Sequence, residues 1–180
     1  MPVAGALLLM SNTALARDGA YVAFGLGQSD TMIGNIKYSG IGTAFLLGAQ
    51  FNKNFALEFE YVNFGQLKDT TSNLSANSKG ISGIFLLPLA QRVSIYFKLG
   101  VAQVSSIVNR TGITGLRSTL ASMPYGMGWQ YEFSPKATFR VFADAGYGHQ
   151  TNGTTTTIST TNSSFGSGIK RIGFSSLYTF

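Results

Sequence analysis

The sequence predicts an all-β protein, an eight-stranded antiparallel up-and-down transmembrane β-barrel. Three observations lead there. Only 11% of the 180 residues are charged and the mean hydropathy is +0.17, whereas a soluble domain carries about 25% charged residues. The longest apolar stretch, Pro2 to Met10, is far short of the ~20 residues a membrane helix needs. Strand-like runs alternating with period two carry their charges on one face only. An apolar chain without a spanning helix satisfies its backbone in lipid by closing its strands into a barrel.

Residues 1–16, MPVAGALLLMSNTALA, read as a signal peptide: an apolar core, a polar stretch, then Ala14-Leu15-Ala16, with Ala14 and Ala16 as the small residues of the cleavage site. No Lys or Arg precedes the apolar core, as a truncated peptide or a misassigned start would leave it. Residues 17–180 then form the barrel, with no linker marking a second domain. Export without any Cys fits a bacterial envelope protein better than a disulfide-stapled secreted domain.

Eight runs follow, at about 19–28, 42–51, 55–64, 80–89, 93–103, 120–133, 137–147 and 168–180. Three connections are tight: Asn52 to Asn54, Ala90 to Arg92 and Ser134 to Lys136. Four are polar and read as long loops, at 29–41, 65–79, 104–119 and 148–167, the last rich in Thr, Ser and Asn. Short turns on one side and long loops on the other are the layout of a transmembrane barrel. Pro124 falls inside the sixth run, where a missing N–H predicts a bulge.

The two faces of the runs differ in kind. One carries Leu57, Phe59, Tyr61; Ile81, Phe85, Leu87; Ile95, Phe97, Leu99; Met127, Trp129; and Ile172, Phe174, with no charge among them. The other carries Glu58, Glu60, Lys98, Glu132, Arg140, Asp144 and Arg171, beside Gly100, Gly126 and Gly128. A soluble barrel has the opposite arrangement. Lipid outside explains it, since Lys or Arg facing mid-membrane lipid costs about 2–4 kcal/mol. Phe51, Phe55, Tyr131, Phe133, Tyr178 and Phe180 gather at the short-turn ends, as an interfacial girdle does. Glycines on the charged face leave room for bulky neighbours. Gly25-Leu26-Gly27 lacks the third glycine and the helix of a dinucleotide loop.

Depth can be counted from the turns. Glu58 and Glu60 lie four and six residues past Asn54, Lys98 six past Arg92 and Arg140 four past Lys136. Strands launched from one rim keep similar depth for similar counts. The expectation is a lumen salt-bridge network of Glu58, Glu60 and Glu132 with Lys98 and Arg140, and with Asp144 and Arg171 higher up, because buried charges must be paired.

Several segments resemble small outer-membrane barrels of the OmpA/OmpX type. GAQFNKNFALEFEYVNFG (48–65) is similar to their second hairpin. LPL (87–89) with VSIYFKLG (93–100) is similar to their fourth and fifth strands, and YGMGWQYEF (125–133) and FRVFAD (139–144) to the sixth and seventh. The ending Tyr178-Thr179-Phe180 is similar to the aromatic signal read by the barrel-assembly machinery, although GFSSL (173–177) is less apolar than usual. The resemblance implies an integral protein of the bacterial outer membrane, without the periplasmic peptidoglycan-binding domain. Its expected partners are outer-membrane lipid and lipopolysaccharide, and the assembly machinery during biogenesis. A monomer is expected, with no cofactor and no metal.

Eight strands enclose a lumen that side chains fill, so wide-pore diffusion is not expected and interactions fall to the loops. Lys37, Lys68, Lys79, Arg110 and Arg117 lie in or beside the loops; they fit contact with lipopolysaccharide phosphates or ordinary solvated charge equally. The excess of 13 basic over 7 acidic residues is scattered singly apart from Lys170-Arg171, unlike the clustered stripe of a nucleic-acid binder. A soluble carrier needs an apolar interior, and this one reads as charged and glycine-rich. The remaining alternative is a lipid A-modifying envelope enzyme on the same fold. Such an enzyme resembles a serine hydrolase and needs a base beside its nucleophile. The only His is His149, followed by Gln150 and Thr151, so the His-x-Ser arrangement associated with those deacylases is missing. The reading is therefore no enzyme, and a structural or surface-interaction role.

Overall fold

The computed structural model describes residues 19–33, 36–68, 72–110, 113–148 and 168–180. The expected signal peptide with its Ala14 and Ala16, and the final polar segment with His149, lie outside the described residues. Nine strand segments follow in order: β1 (Gly19–Ile33), β2 (Ile36–Asn52), β3 (Phe55–Lys68), β4 (Ser72–Ala90), β5 (Val93–Arg110), β6 (Ile113–Ser122), β7 (Tyr125–Glu132), β8 (Ala137–Tyr147) and β9 (Ile169–Thr179). Consecutive strands pair antiparallel from β1 to β6 and from β7 to β9, β7 pairs with β5, and β9 returns to β1, so the sheet is closed. β6 and β7 both pair with β5 and together make the sixth of eight barrel strands.

The expected bulge at Pro124 is not there. Leu99 faces Tyr125 and Ala102 faces Ser122, with two residues between on both strands, so the register passes through unchanged. The Gly100 N–H still donates to the Pro124 carbonyl at 2.9 Å. Only the reciprocal bond from residue 124 is lost, and that loss interrupts the ladder without displacing it.

True bulges occur at two glycines with left-handed backbone, Gly65 (φ +75°) and Gly146 (φ +84°). Each adds one residue to its strand: Asn63 faces Asn77 but Gln66 faces Ser75, and Asp144 faces Arg171 but Tyr147 faces Ile169. A bulge resets which residues point inward. It lets Phe64 and Leu67, three apart, both be buried, and likewise Asp144 and Tyr147.

In three of the four segments expected as long loops, the described residues are strand instead. Residues 29–33 and 36–41 extend β1 and β2, 65–68 and 72–79 extend β3 and β4, and 104–110 and 113–119 extend β5 and β6. Much of their polar composition belongs to the outer face, where Gln66, Asn77 and Lys79 are exposed, while Ser29, Thr31, Ser78 and Ser106 turn inward and are buried. The inner face carries Tyr38, Phe64, Leu67, Leu74, Ala76 and Val104, all buried. These strands therefore hold a core of their own above the apolar belt. The nine residues of β4 from Ser72 to Gly80, at ~3.3 Å each and a tilt near 40°, rise roughly 20–25 Å beyond it.

The opposite rim is short. Asn52 Oδ1 accepts from the backbone of Asn54 and Phe55 at 2.8 and 2.9 Å, closing the first turn. Ser134 Oγ does the same for Ala137 at 3.1 Å. Aromatic pairs mark this rim: Phe51 stacks on Phe55 at 5.9 Å, while Tyr131 and Phe133, and Tyr178 and Phe180, meet edge to face. Between rim and hairpins the outward side chains are apolar and exposed, among them Phe97, Leu99 and Trp129. Phe97→Arg, mid-belt, is expected to cost about 2–4 kcal/mol of folding free energy in vesicles, whereas Thr119→Arg, on the polar hairpin, stays within about 0.5 kcal/mol. Denaturant titration followed by the gel-mobility difference between unheated and boiled samples reads both. Equal stability of the two variants would remove lipid from the outer face.

Candidate functional site: a charge network in the lumen

Alternation along β3, β5, β8 and β9 turns six charged side chains into the lumen, each at most 5% exposed: Glu58, Glu60, Lys98, Arg140, Asp144 and Arg171. Three are anionic and three cationic, so the set is neutral, which is the condition for burying it.

The turn-proximal layer is the pair Arg140–Glu58, Nη1 to Oε1 at 2.5 Å. Tyr21 donates its hydroxyl to the same carboxylate oxygen at 2.6 Å, and Arg140 Nη2 donates to Gln130 Oε1 at 3.1 Å. The Tyr96 ring lies against the Arg140 guanidinium at 4.5 Å. Glycine makes this layer possible. Gly48 lies under the Tyr21 ring and Gly128 under the Tyr96 ring, and a Cβ at either would overlap the aromatic carbons.

The layer above is centred on Lys98. Its Nζ donates to Glu60 Oε2 at 2.6 Å, Asp144 Oδ2 at 3.1 Å and the Tyr147 hydroxyl at 3.0 Å. An ammonium has three N–H donors, and all three are used. Tyr147 passes its own proton to Glu60 Oε1 at 3.0 Å, and Arg171 reaches Asp144 Oδ2 at 2.8 Å with its guanidinium over the Phe142 ring. Arg140–Glu58 and Lys98–Glu60 thus join residues at equal counts from their turns. Glu132 lies outside these four ion pairs, half-exposed near the rim.

Above the charges comes an apolar layer that composition did not announce. Val62, Phe64, Leu67, Leu74, Tyr147 and Ile169 are fully buried, with Phe64 and Tyr147 edge to face at 5.1 Å. The lumen is filled by ions first and by hydrocarbon over them. Five polar or aromatic partners escaped the sequence reading: Tyr21, Tyr96, Gln130, Phe142 and Tyr147. Four of them follow the inward parity of their strands. Tyr147 does not, because strict alternation from Asp144 points it outward; the bulge at Gly146 was the signal. Among the described residues no cluster of three or more His, Cys, Asp or Glu with metal-binding potential occurs. Tyr178 and Phe180 face outward at the rim, and the Phe180 N–H donates to the Ala20 carbonyl at 3.1 Å.

Lys98→Glu leaves Glu60 and Asp144 without their shared cation and is expected to destabilise the barrel by about 3–5 kcal/mol. Adding Glu60→Lys recovers part of that loss. Tyr147→Phe removes two hydrogen bonds to charged groups and costs about 1.5–3 kcal/mol, while Tyr131→Phe in the girdle is close to neutral. Unfolding midpoints in lipid vesicles measure all four; wild-type stability for Lys98→Glu would mean that the interior is simply hydrated.

Comparison with known proteins agrees with this geometry. Residues 2–166 match the family model for the outer membrane protein beta-barrel domain. The fold is similar to that of Neisserial surface protein A, with a TM-score of 0.68 at 16% identity over 90% of this chain and 97% of that one. It is also similar to the N-terminal β-barrel domain of Pseudomonas aeruginosa OprF, with a TM-score of 0.62 at 14% identity over 91% and 98%. Ail of Yersinia pestis aligns with a TM-score of 0.60 at 14% identity over 91% and 99%. No curated protein matches the sequence. An uncharged lipid face, a neutral charged lumen and the matched domain lead to one conclusion: the chain belongs to the outer-membrane β-barrel proteins and resides in the bacterial outer membrane.

Proposed function

We propose that the protein is a non-catalytic surface barrel that presents its tall hairpins for interaction outside the membrane. One observation carries this reading: the inner faces of the hairpins are packed, with Phe64, Leu67, Leu74 and Ile169 fully buried. Such hairpins hold their outer faces in fixed positions, as a binding platform requires, and the same residues close the lumen to wide-pore diffusion. The likeness to a Neisserial surface protein and to the attachment invasion locus protein of Yersinia pestis supports a surface role. The proposal includes export with cleavage after Ala16, recognition of Tyr178 and Phe180 by the assembly machinery, a monomeric barrel and the lumen network as its internal brace.

The test joins three readouts on one expressed protein. An epitope inserted between Lys68 and Ser72 is expected to be labelled on intact cells. Planar bilayers holding the purified barrel are expected to carry no steady current. Mass spectrometry is expected to find Arg17 as the first residue and lipid A acylation unchanged by expression. An epitope labelled only after lysis would refute the surface role. A lost lipid A acyl chain that returns with His149→Ala would replace it with catalysis.

A further inference from the structure

The six-residue lumen network is neutral, so the net charge of +6 is carried by residues outside it. Part of that excess stands on the short-turn rim. Each of the three tight turns exposes one cation: Lys53 between β2 and β3, Arg92 between β4 and β5, and Lys136 between β7 and β8. Glu132, beside Arg92 across the ladder, is the one acidic side chain at this rim among the described residues. The turns are held in place by the strands that follow. The Asn54 carbonyl accepts from the Leu86 N–H at 2.7 Å, the Arg92 carbonyl from the Glu132 N–H at 2.9 Å and the Lys136 carbonyl from the Thr179 N–H at 2.9 Å. Neighbouring turns are two strands apart, so the cations are spaced by about 10 Å at ~4.8 Å per strand.

Exposed aromatic rings border every one of these cations. Phe51 and Phe55 flank Lys53. Tyr131 lies opposite Val93, next to Arg92, and Tyr178 lies opposite Ala137, next to Lys136. Interfacial aromatics mark the level where headgroups meet acyl chains. A cation one or two residues beyond them stands roughly 3–7 Å farther out, at the depth of lipid phosphates. A cell-wall polymer lies beyond that depth. Short turns face the periplasm, so the phosphates in reach belong to the periplasmic leaflet.

We infer that the short-turn rim binds anionic phospholipids of the periplasmic leaflet, one phosphodiester at each turn cation, with the acyl chains against the bordering aromatics. Lys53 and Lys136 meet the phosphate as point charges, while the Arg92 guanidinium has the fork that engages two of its oxygens. The inference rests on the outer-membrane placement given above and is independent of what the hairpins bind. The probes are phosphatidylglycerol, phosphatidylcholine and a soluble anionic muramyl peptide. Each is mixed with the refolded barrel in neutral detergent, and bound copies are counted by native mass spectrometry.

Wild type is expected to retain phosphatidylglycerol about fivefold better than phosphatidylcholine at each cation, and not to retain the muramyl peptide. Lys53→Gln, Arg92→Gln and Lys136→Gln are each expected to remove one preferentially bound copy, and together to abolish the preference. Lys37→Gln, Lys68→Gln and Lys79→Gln, combined on the hairpins, leave it unchanged. Phosphatidylglycerol with a photoreactive headgroup is expected to label segments 51–55, 89–93 and 133–137 of wild type, a readout that no variant's folding affects. Equal retention of the two phospholipids, capture of the muramyl peptide instead, a preference that survives the turn changes or follows the hairpin changes, or labelling of the hairpins would each overturn the inference. Failure of the wild-type barrel to fold, read by its gel mobility, would instead refute the membrane-barrel reading.

Discussion

A single buried ammonium sets the terms for this barrel. Lys98 rises from β5 and holds Glu60 of β3 and Asp144 and Tyr147 of β8. These strands are not neighbours in the sheet, so the contacts cross the lumen. Backbone ladders fix each strand against the next, but they leave the cross-section of a barrel free to flatten. Contacts across the lumen remove that freedom. Burying an ion is costly in itself, and a buried pair stabilises only when its remaining donors and acceptors are met. Here the ammonium is saturated, and both carboxylate oxygens of Glu60 are engaged.

The rest of the architecture serves that constraint. Glycine stands where the lumen must admit a ring, as at Gly48 and Gly128. The bulge at Gly146 turns Tyr147 inward to cap the network, and the bulge at Gly65 turns Leu67 inward to cover it. Hydrocarbon above the ions excludes water from the hairpin side, which strengthens the ion pairs beneath. The outer wall obeys a separate rule: apolar within the belt, polar on the hairpins, with lysines where the two meet.

The sequence made the membrane part of the fold legible because lipid enforces a strict alternation there. Charges excluded from one face of every strand reveal both the strand and its orientation, and counts from three tight turns reveal depth. Above the membrane that enforcement ends. Ser, Asn and Gln face water from the hairpins as they do from loops, so residues 65–68, 72–79, 104–110 and 113–119 read as loops although they are paired strand. The apolar inner face was present in Phe64, Leu67 and Leu74, but the bulge at Gly65 breaks its period. Tyr147 was hidden for the same reason. Pro124 shows the reverse error, a residue expected to disturb the register that costs one ladder bond and shifts nothing.

The central claim is that Lys98 and Glu60 act as a coupled pair across the lumen. A double-mutant cycle with Lys98→Met and Glu60→Gln, read as unfolding free energy in lipid vesicles, tests it most directly. The account predicts a coupling energy of about 1–3 kcal/mol, in the range of residues that share one network. Losses that add to within about 0.5 kcal/mol would contradict it and leave the barrel held by its ladders and its lipid face alone.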